Sequence, residues 1–339
     1  MSGNQFAESG NSKEYIINLA LGYQVSQVLF AAINLNVFTI LDSGAKKISE
    51  ISAVVGSDEQ SLGRFLNPLV ALSLLEKKDG KYSNTDGASR YLVKGKNNYL
   101  GNAIHHSSNL WDFWEGLDEQ IKSGCGKEPD ENKINNYSHR LQDYLSSMND
   151  LATIKADAIA DTIMISDHRT MLDLGCGPGT YAIAFAEKNP EIQCTIVDLD
   201  PNLVYTRKLI NKSNCRDRIF ISAGNILEDE IPGSGYDLIL ISNLIHIYGK
   251  EEVGNIIGKA WGVAAAHGKI VIHDYIVNET GIGPLFASLF DLTMLVGTPQ
   301  GKCYNVLEIK ELLGHLDVKK IRHIPVCLGS SLIIGEKYK

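Results

Sequence analysis

The sequence predicts an α/β protein, in which a doubly wound parallel sheet follows a mainly helical N-terminal domain. Three observations support this prediction. Apolar runs such as Tyr236–Ile241 alternate with helix-like stretches through the second half of the chain, which is typical of parallel sheets covered by helices on both faces. A glycine-rich turn follows the first of these runs, Met171–Leu174. The first hundred residues instead show apolar residues at helical spacing.

The mainly helical domain is expected to span residues 1–100. Apolar residues recur at helix-compatible spacing from Glu14 to about Leu41, in two segments, and two shorter helices follow. Asp79 and Gly80 lie between two strand-like segments and predict a hairpin turn. Two helices followed by a hairpin indicate a winged helix. The two shorter helices are expected at Ile48–Gly56 and Ser61–Val70.

A winged helix often binds DNA, so a ligand-sensing regulator is one alternative function. The helix that would enter the groove lies within Glu59–Leu75, where Arg64 is the only basic residue. A groove-reading helix needs several cations for phosphates and base edges. We therefore expect a packing module and no nucleic-acid partner.

A helical bridge is expected at residues 101–165, before a sheet domain at residues 166–339. The bridge begins with apolar residues on one helical face. The segment Ser123–Ser138 is rich in Gly, Asn, Asp and Lys and indicates a mobile surface connection, after which a helical pattern resumes from Leu141 to Ile165. The residues of the first helical face are Leu110, Trp111, Trp114, Leu117 and Ile121.

Composition narrows the compartment and the partners. A net charge of -8 argues against nucleic acid or an anionic membrane as the main partner. The six cysteines contain no C-x-x-C pair and the chain shows no secretory leader, which predicts a cytoplasmic location. Asn34 and Asn36 interrupt the most hydrophobic early segment, so no uninterrupted apolar run approaches the length of a membrane span.

The turn at Gly175–Gly179 is suited to bind a ligand through its backbone. Glycines remove the Cβ atoms that would keep the chain away from a ligand, and the following helix points free N–H groups into the crevice. Asp198 ends the next strand, at the distance expected for a carboxylate that binds ribose hydroxyls. A dinucleotide fingerprint would be G-x-G-x-x-G, and Thr180 stands where its third glycine would fall, which disfavours a dehydrogenase.

These motifs resemble those of S-adenosylmethionine-dependent methyltransferases, whose first motif is an acid, a small apolar residue and G-x-G-x-G. More narrowly, nearly the whole chain resembles the small-molecule O-methyltransferases of plant phenolic, hydroxyindole and bacterial natural-product metabolism. The resemblance implies a Rossmann-like class I methyltransferase sheet, an N-terminal winged-helix dimerisation domain, S-adenosylmethionine as cofactor, a homodimer and a small aromatic acceptor. The matching segments are Asp173–Gly179, Val197–Leu199, Ala223–Ile226, Asn243–Tyr248, Gly268–Asp274 and Asp291–Leu295.

The cofactor is expected beyond the carboxyl ends of the strands, where α/β sheets bind ligands. Two positions depart from the family. Asn225 stands where an acid usually accepts a hydrogen bond from the adenine amino group, and Ser242 stands where plant members carry a cation. An amide carbonyl still accepts that bond, without charge assistance. The expected cofactor-binding residues are Asp173, Gly175, Gly177, Asp198, Leu199, Gly224, Asn225, Ile226 and Ser242.

His246 and Asp274 are the expected catalytic residues. A phenol has a pKa near ~10, so at neutral pH it attacks well only when a base removes its proton. By resemblance, His246 coincides with the family's catalytic histidine and Asp274 with a carboxylate that orients it. Plant members carry a second carboxylate after a Gly-Lys pair, where this chain has Cys303. A neutral thiol cannot share a proton as that acid would, so either Cys303 shapes the pocket or the acceptor differs from a plain phenol.

The acceptor is expected to contact the bridge and a late helix. Methionine adapts to flat aromatic shapes, although it also fills ordinary cores. A metal site of the two-histidine, one-carboxylate type could in principle use His246, His273 and Asp274. Because His273 and Asp274 are adjacent on one strand and point to opposite faces, they are not expected to share a metal, and no metal is expected. The expected acceptor-binding residues are Trp114, Met148, Asp291, Met294 and Cys303.

The sequence therefore predicts a cytosolic, dimeric methyltransferase that acts on a hydroxyl of a small aromatic or polyketide-like metabolite. Two alternatives stay open beside the DNA-binding regulator. The same fold can methylate a carbon, nitrogen or sulfur atom, or it can bind the cofactor and catalyse a different reaction.

Overall fold

A computed structural model describes residues 12–124, 137–316 and 318–337. These residues form two compact units, one that ends at Asn109 and one that begins at Leu110. Most of the expected connection Ser123–Ser138 lies outside the described residues. The division at residues 100 and 165 stays a prediction.

The N-terminal unit combines helices with a small antiparallel sheet in the order β1-β3-β2. Asp79 and Gly80 both adopt positive φ angles, 50° and 75°, between β2 and β3, as a two-residue hairpin turn requires. The predicted hairpin is therefore confirmed. The elements are α1 (Lys13–Asn34), α2 (Val37–Ile40), β1 (Lys46–Lys47), α3 (Ile48–Val55), α4 (Glu59–Ala71), β2 (Leu75–Lys78), β3 (Lys81–Asn84), α5 (Asp86–Tyr91) and α6 (Gly101–Asn109).

Helix α4 shows why this unit folds as it does. Leu62, Leu66 and Leu69 recur at helical spacing and are all buried in the core of the unit. Asp58 caps the helix, because its carboxylate accepts a hydrogen bond from the Ser61 backbone N–H at 2.7 Å. The cap and the apolar stripe together fix where the helix begins and which face it buries.

Helix α1 differs because its apolar side chains are largely exposed, including Ile16, Leu19 and Tyr23. Among the described residues, it alone is long and apolar enough to cross a membrane by length and composition, with a mean hydropathy of 1.6. The prediction that no uninterrupted apolar run approaches this length does not exclude such a helix, because scattered polar residues such as Gln24 leave its mean hydropathy high. One such helix near the N-terminus is weak evidence for a membrane span.

The C-terminal unit contains a seven-stranded sheet in the order β6-β5-β4-β7-β8-β10-β9. The first five strands are parallel, β10 is antiparallel to β8, and β9 is antiparallel to β10. The strands are β4 (Thr170–Leu174), β5 (Gln193–Asp198), β6 (Ile219–Ala223), β7 (Tyr236–Ser242), β8 (Ala264–Asp274), β9 (Val318–Pro325) and β10 (Ser331–Lys337).

The central strands are apolar on both faces, as predicted. Leu238 and Leu240 of β7 pack in one buried cluster, and Ile239 and Ile241 pack in another. The direction of winding reverses between β4 and β7, so a ligand-binding crevice is expected at their carboxyl ends. The helices are α7 (Trp111–Trp114), α8 (Leu117–Ser123), α9 (Tyr137–Thr162), α10 (Thr180–Lys188), α11 (Asp200–Lys212), α12 (Lys250–Gly262), α13 (Leu285–Gly297) and α14 (Val306–Gly314).

One expectation about local structure is wrong, and one strand has no counterpart in the prediction. The predicted single helical face from Leu110 to Ile121 is broken at Gly116, which adopts a left-handed φ of 76° between α7 and α8. Trp111 and Ile121 are exposed as a result. Strand β9 was not predicted, since its sequence mixes apolar and basic residues.

Candidate active site

The glycine-rich turn leaves β4 in a conformation that requires glycine. Gly175, Gly177 and Gly179 have φ angles of 68°, 53° and 78°, in the left-handed region. A Cβ atom on Gly175 would lie 2.7 Å from Leu244 Cδ1, whereas a Cβ on Gly177 would enter open space. The turn is thus packed closely on one side and open on the other, which suits a backbone that faces a ligand.

Asp198, at the end of β5, holds this turn in place. Its Oδ2 accepts a hydrogen bond from the Gly177 N–H at 2.6 Å, and its Oδ1 accepts from the Leu199 N–H at 2.7 Å and from Asn202 Nδ2 at 2.6 Å. Burial raises the pKa of Asp198 although these hydrogen bonds oppose the shift. Oδ2 accepts only one of these three bonds and has room for a further donor, so a ribose hydroxyl can add to these contacts.

Asp173 is a buried acid with no hydrogen-bond partner in the part of the chain that the structure describes. Its side chain, on β4, is 1% exposed, and neither carboxylate oxygen has a hydrogen-bond partner among the described residues. Burial raises its pKa to about 8, and the charge of Asp198 adds to this shift. A buried acid of this kind is costly unless something supplies donors or positive charge. It therefore marks a place where a cationic or N–H-bearing ligand group fits.

The other expected cofactor residues lie at the carboxyl ends of β5, β6 and β7. Gly224 donates its N–H to the Asp198 carbonyl oxygen at 3.0 Å, and Asn225 Oδ1 accepts from the Leu227 N–H at 3.1 Å. Leu199 is exposed and Ile226 is buried. Ser242 belongs to a different environment, because its hydroxyl lies 2.8 Å from His273 Nδ1 inside the core.

His246 and Asp274 form a direct pair. His246 lies in a 3-10 turn after β7, and its Nδ1 is 2.7 Å from Oδ1 of Asp274, at the end of β8. Asp274 is 1% exposed and also accepts from the Tyr275 N–H at 2.8 Å. Burial acts to raise its pKa, but the charge of His246 and these hydrogen bonds outweigh it, so the pKa is below its ordinary value. Within the described part of the chain, His246 Nε2 makes no hydrogen bond.

Aromatic side chains surround this pair. The Phe290 ring meets the His246 ring edge-on at 4.9 Å between centroids, and Tyr275 packs against Phe290 at 4.4 Å and Phe286 at 5.1 Å. Cys303 is buried in the same cluster as Tyr275, and burial raises the pKa of its thiol, which stays neutral. His246 therefore lies in apolar, aromatic surroundings, which are chemically suited to a flat apolar molecule.

The remaining expected acceptor residues lie on elements near this cluster. Asp291 Oδ1 accepts the Cys303 N–H at 2.6 Å, which fixes the Cys303 segment to α13. Met294, on the same helix, is buried. Trp114 and Met148 are half-buried, on α7 and α9. Helix α7 packs on α13, so Trp114 belongs to an element next to the aromatic cluster.

His273 has a hydroxyl partner at each of its ring nitrogens. Its Nδ1 is 2.8 Å from the Ser242 hydroxyl, and its Nε2 is 3.0 Å from the Ser330 hydroxyl. Burial lowers its pKa to about 3, with a contribution from the charge of Lys155. No group of three or more His, Cys, Asp or Glu residues within the described ranges is arranged to hold a metal ion.

Three residues linked to His246 by these contacts were not predicted from the sequence, namely Tyr275, Phe290 and Lys155. Tyr275 directly follows Asp274, so the rule that nominated strand ends would have found it one residue further along. Phe286 and Phe290 are four residues apart on α13, a spacing that places both on one face. Lys155 carries no such signal, because a lysine in a helix is usually solvated.

The fold and the site together define a class I S-adenosylmethionine methyltransferase. Human N-acetylserotonin methyltransferase, solved in complex with SAM, superimposes with a TM-score of 0.88 at 20% identity, covering 98% of this chain and 99% of that one. A 3-hydroxy-5-methyl-1-naphthoate 3-O-methyltransferase of Streptomyces sahachiroi is 26% identical over 314 residues, 91% of this chain and 90% of the relative. Acetylserotonin O-methyltransferase of Bos taurus is 26% identical over 333 residues, 93% and 95% of the two chains.

Family models match the chain in both units. The O-methyltransferase domain matches residues 125–316, more than half of the chain, and the O-methyltransferase dimerisation domain matches residues 17–94. The chain therefore belongs to the O-methyltransferase family. It is an enzyme whose methyl donor is S-adenosylmethionine.

Proposed function

We propose that this enzyme methylates a hydroxyl group of a small aromatic or polyketide-like metabolite, with His246 as the general base. The observation that carries the proposal is the 2.7 Å contact between His246 Nδ1 and the buried carboxylate of Asp274. The relatives from Streptomyces sahachiroi and Bos taurus are both named for O-methylation of aromatic compounds. The aromatic rings of Phe290 and Tyr275 support an acceptor of the same class.

In this proposal, Asp274 accepts a hydrogen bond from the Nδ1–H group of His246, which leaves the lone pair of Nε2 free to take the proton of the acceptor hydroxyl. The imidazolium that results is stabilised by the Asp274 carboxylate. When bound, S-adenosylmethionine supplies an electrophilic methyl group. The apolar rings around His246 exclude water, which strengthens the attraction between the imidazolium and Asp274.

We assign the donor site to the ends of β4, β5 and β6. Gly175 and Gly177 supply the open backbone, Asp198 is available to ribose hydroxyls, and the unpartnered carboxylate of Asp173 fits the ammonium group of the donor. The part of this site that would hold the adenine of the donor is formed by Leu199, Gly224, Asn225 and Ile226. Ser242 is held in the His273 network, so its part in the site is to support the end of β7.

Because Cys303 stands in place of a second carboxylate, His246 is the single base in the proposed mechanism. Its thiol is buried and neutral, so it neither shares the acceptor proton nor carries charge. We assign it to the wall of the acceptor pocket, with Trp114, Met148, Asp291 and Met294 on neighbouring elements. The acceptor hydroxyl must then be acidic enough for one histidine to deprotonate it, which favours phenols over aliphatic alcohols.

We further propose that residues 1–100 pair two copies of the chain, residues 101–165 contribute to the acceptor pocket, and residues 166–339 bind the donor. Support for a homodimer comes from the dimerisation-domain match and from the exposed apolar residues of α1. A cytoplasmic location is supported by the five described cysteines, all of which are free thiols.

Isothermal titration calorimetry with S-adenosylmethionine, S-adenosylhomocysteine and NAD tests the donor site. We expect the two sulfur compounds to bind and NAD not to bind. Transfer of a labelled methyl group to a panel of phenols, matched thiols and amines then tests the acceptor. Product formation only with thiols or amines would contradict O-methylation, and tight binding of NAD alone would contradict the donor site.

A further inference from the structure

A lysine is buried within the C-terminal unit and is not explained by the mechanism above. Lys155, on α9, is 1% exposed. Its Nζ donates one hydrogen bond, to the Tyr275 hydroxyl at 3.1 Å, and lies 4.6 Å from the centroid of the Tyr275 ring. An ammonium group has three N–H donors. The described residues therefore leave two of the three without an acceptor.

Two other lysines, Lys259 and Lys337, have several hydrogen-bond acceptors for their ammonium groups. Lys259 donates to three backbone carbonyl oxygens, at 2.8, 3.1 and 3.3 Å, and Lys337 donates to two, at 3.0 and 3.1 Å. Both thereby hold loops and strand ends together. Lys155 has neither a carbonyl nor a carboxylate within hydrogen-bonding distance among the described residues, although it is more deeply buried. Burying a cation with so few partners is costly unless another group completes its coordination.

Lys155 lies at the aromatic cluster next to the proposed base. Its Nζ is 4.6 Å from the Tyr275 ring, Tyr275 is 4.4 Å from Phe290, and Phe290 is 4.9 Å from His246. Tyr275 and Phe290 therefore connect the cation to His246 of the catalytic pair through successive ring contacts. Burial lowers the pKa of Lys155 to about 8, while Cys327 and Asp274 oppose that shift, so the ammonium stays mostly charged at neutral pH.

We propose that Lys155, held by Tyr275, is a specificity-determining residue that binds an anionic oxygen of the aromatic acceptor, most simply a carboxylate on the ring system that bears the methylated hydroxyl. The acceptor then completes the coordination that the described chain leaves open. The inference rests on the proposed function, because it assigns the acceptor of that same site. It narrows the acceptor class from phenols in general to hydroxyaryl acids.

Equilibrium binding separates this role from a structural one. Calorimetry on the enzyme saturated with S-adenosylhomocysteine would compare 3-, 6- and 7-hydroxy-2-naphthoate with their methyl esters, which keep the shape and remove the charge. We expect at least one acid to bind roughly ten- to a hundredfold more tightly than its ester, the range of a charge-assisted hydrogen bond. In Lys155→Met the acid should lose this advantage while the ester binds as before.

Lys337→Met is the matched control, since it removes a lysine with carbonyl partners and should retain the preference for the acid. Lys155→Met replaces a buried charge by an apolar chain of similar length, so it should fold with an unchanged or higher melting temperature. Equal binding of acid and ester, binding of neither, or a preference that survives in Lys155→Met overturns the proposal. Failure of S-adenosylhomocysteine to bind would instead overturn the proposed function, and this inference with it.

Discussion

Replacement of Asp274 by Asn is the sharpest test of the catalytic pair. Asp274→Asn keeps the shape of the side chain and an oxygen that can accept a hydrogen bond from the His246 Nδ1–H group, but it removes the negative charge. The carboxylate is buried and lies 2.7 Å from Nδ1, so solvent cannot replace the lost charge. We therefore expect the substitution to raise the free energy of the transition state, in which His246 gains a proton.

The size of the effect follows from Coulomb's law. A pair of unit charges about 4 Å apart attracts by about 4 kcal/mol at an effective dielectric constant of about 20. If the proton is fully transferred in the transition state, loss of this attraction slows turnover by about a thousandfold, and if it is half transferred, by about thirtyfold. Affinity for S-adenosylmethionine should change little, because the polar contacts of Asp274 are with His246 and the Tyr275 backbone.

Steady-state transfer of a labelled methyl group measures turnover, and a double-mutant cycle supplies the control. In the His246→Ala background, which should itself be slower by about a hundred- to ten-thousandfold, Asp274→Asn should cost nothing further. A similar loss in both backgrounds would show that Asp274 acts through folding rather than through His246. Wild-type turnover in Asp274→Asn would refute the pair as a catalytic unit.

Three further predictions concern the donor site and the dimer. Gly175→Ala should abolish donor binding in calorimetry, because its Cβ would meet Leu244 at 2.7 Å and its φ of 68° disfavours alanine; unchanged affinity would show that the turn does not face the donor. Because the pKa of Asp173 is raised to about 8, the acid is mostly protonated at pH 7, and binding of a cationic donor should release most of one proton. Calorimetry in buffers of different ionisation enthalpy measures this release, which should fade above about pH 8 and vanish in Asp173→Asn; its persistence there would assign the proton to another group. Leu19→Glu should convert the dimer to monomers in light scattering, since Leu19 is exposed within its own unit, and a dimer that persists would move the interface away from α1.

The parts of the fold that could be predicted from the sequence are those fixed by local chemistry. A strand such as Tyr236–Ser242 is apolar throughout because both faces are buried, and that pattern is visible in a single sequence. The turn at Gly175 was predictable because its positive φ angles require glycine. The roles of His246 and Asp274 come from the family resemblance, and their proximity was predictable because neighbouring parallel strands end at the same edge of a sheet, and β7 does pair with β8.

Other features depend on contacts that a local pattern does not contain. Gly116 lies between α7 and α8, yet a single glycine within a helical pattern is often tolerated, so the break could not be predicted from spacing. Strand β9 lies at the edge of the sheet, where only β10 pairs with it. Nη2 of Arg322 on β9 lies 3.9 Å from Oε1 of Glu336 on β10. Charged residues suit an edge strand because they discourage further pairing, and the same residues hide the strand from a search for apolar runs.

Helix α9 shows how a segment that the sequence describes only as a bridge can control the chemistry. Asn149 accepts a hydrogen bond from the Thr180 hydroxyl at 2.7 Å, where α10 leaves the glycine-rich turn, and Lys155, six residues later, binds Tyr275 beside the catalytic pair. One rigid helix thus touches both the proposed donor site and the proposed acceptor site. Methyl transfer requires donor and acceptor in line, and a displacement of about 1 Å can cost about a hundredfold in rate. Through Asn149 at the donor site and Lys155 at the acceptor site, α9 is therefore expected to help align the two substrates.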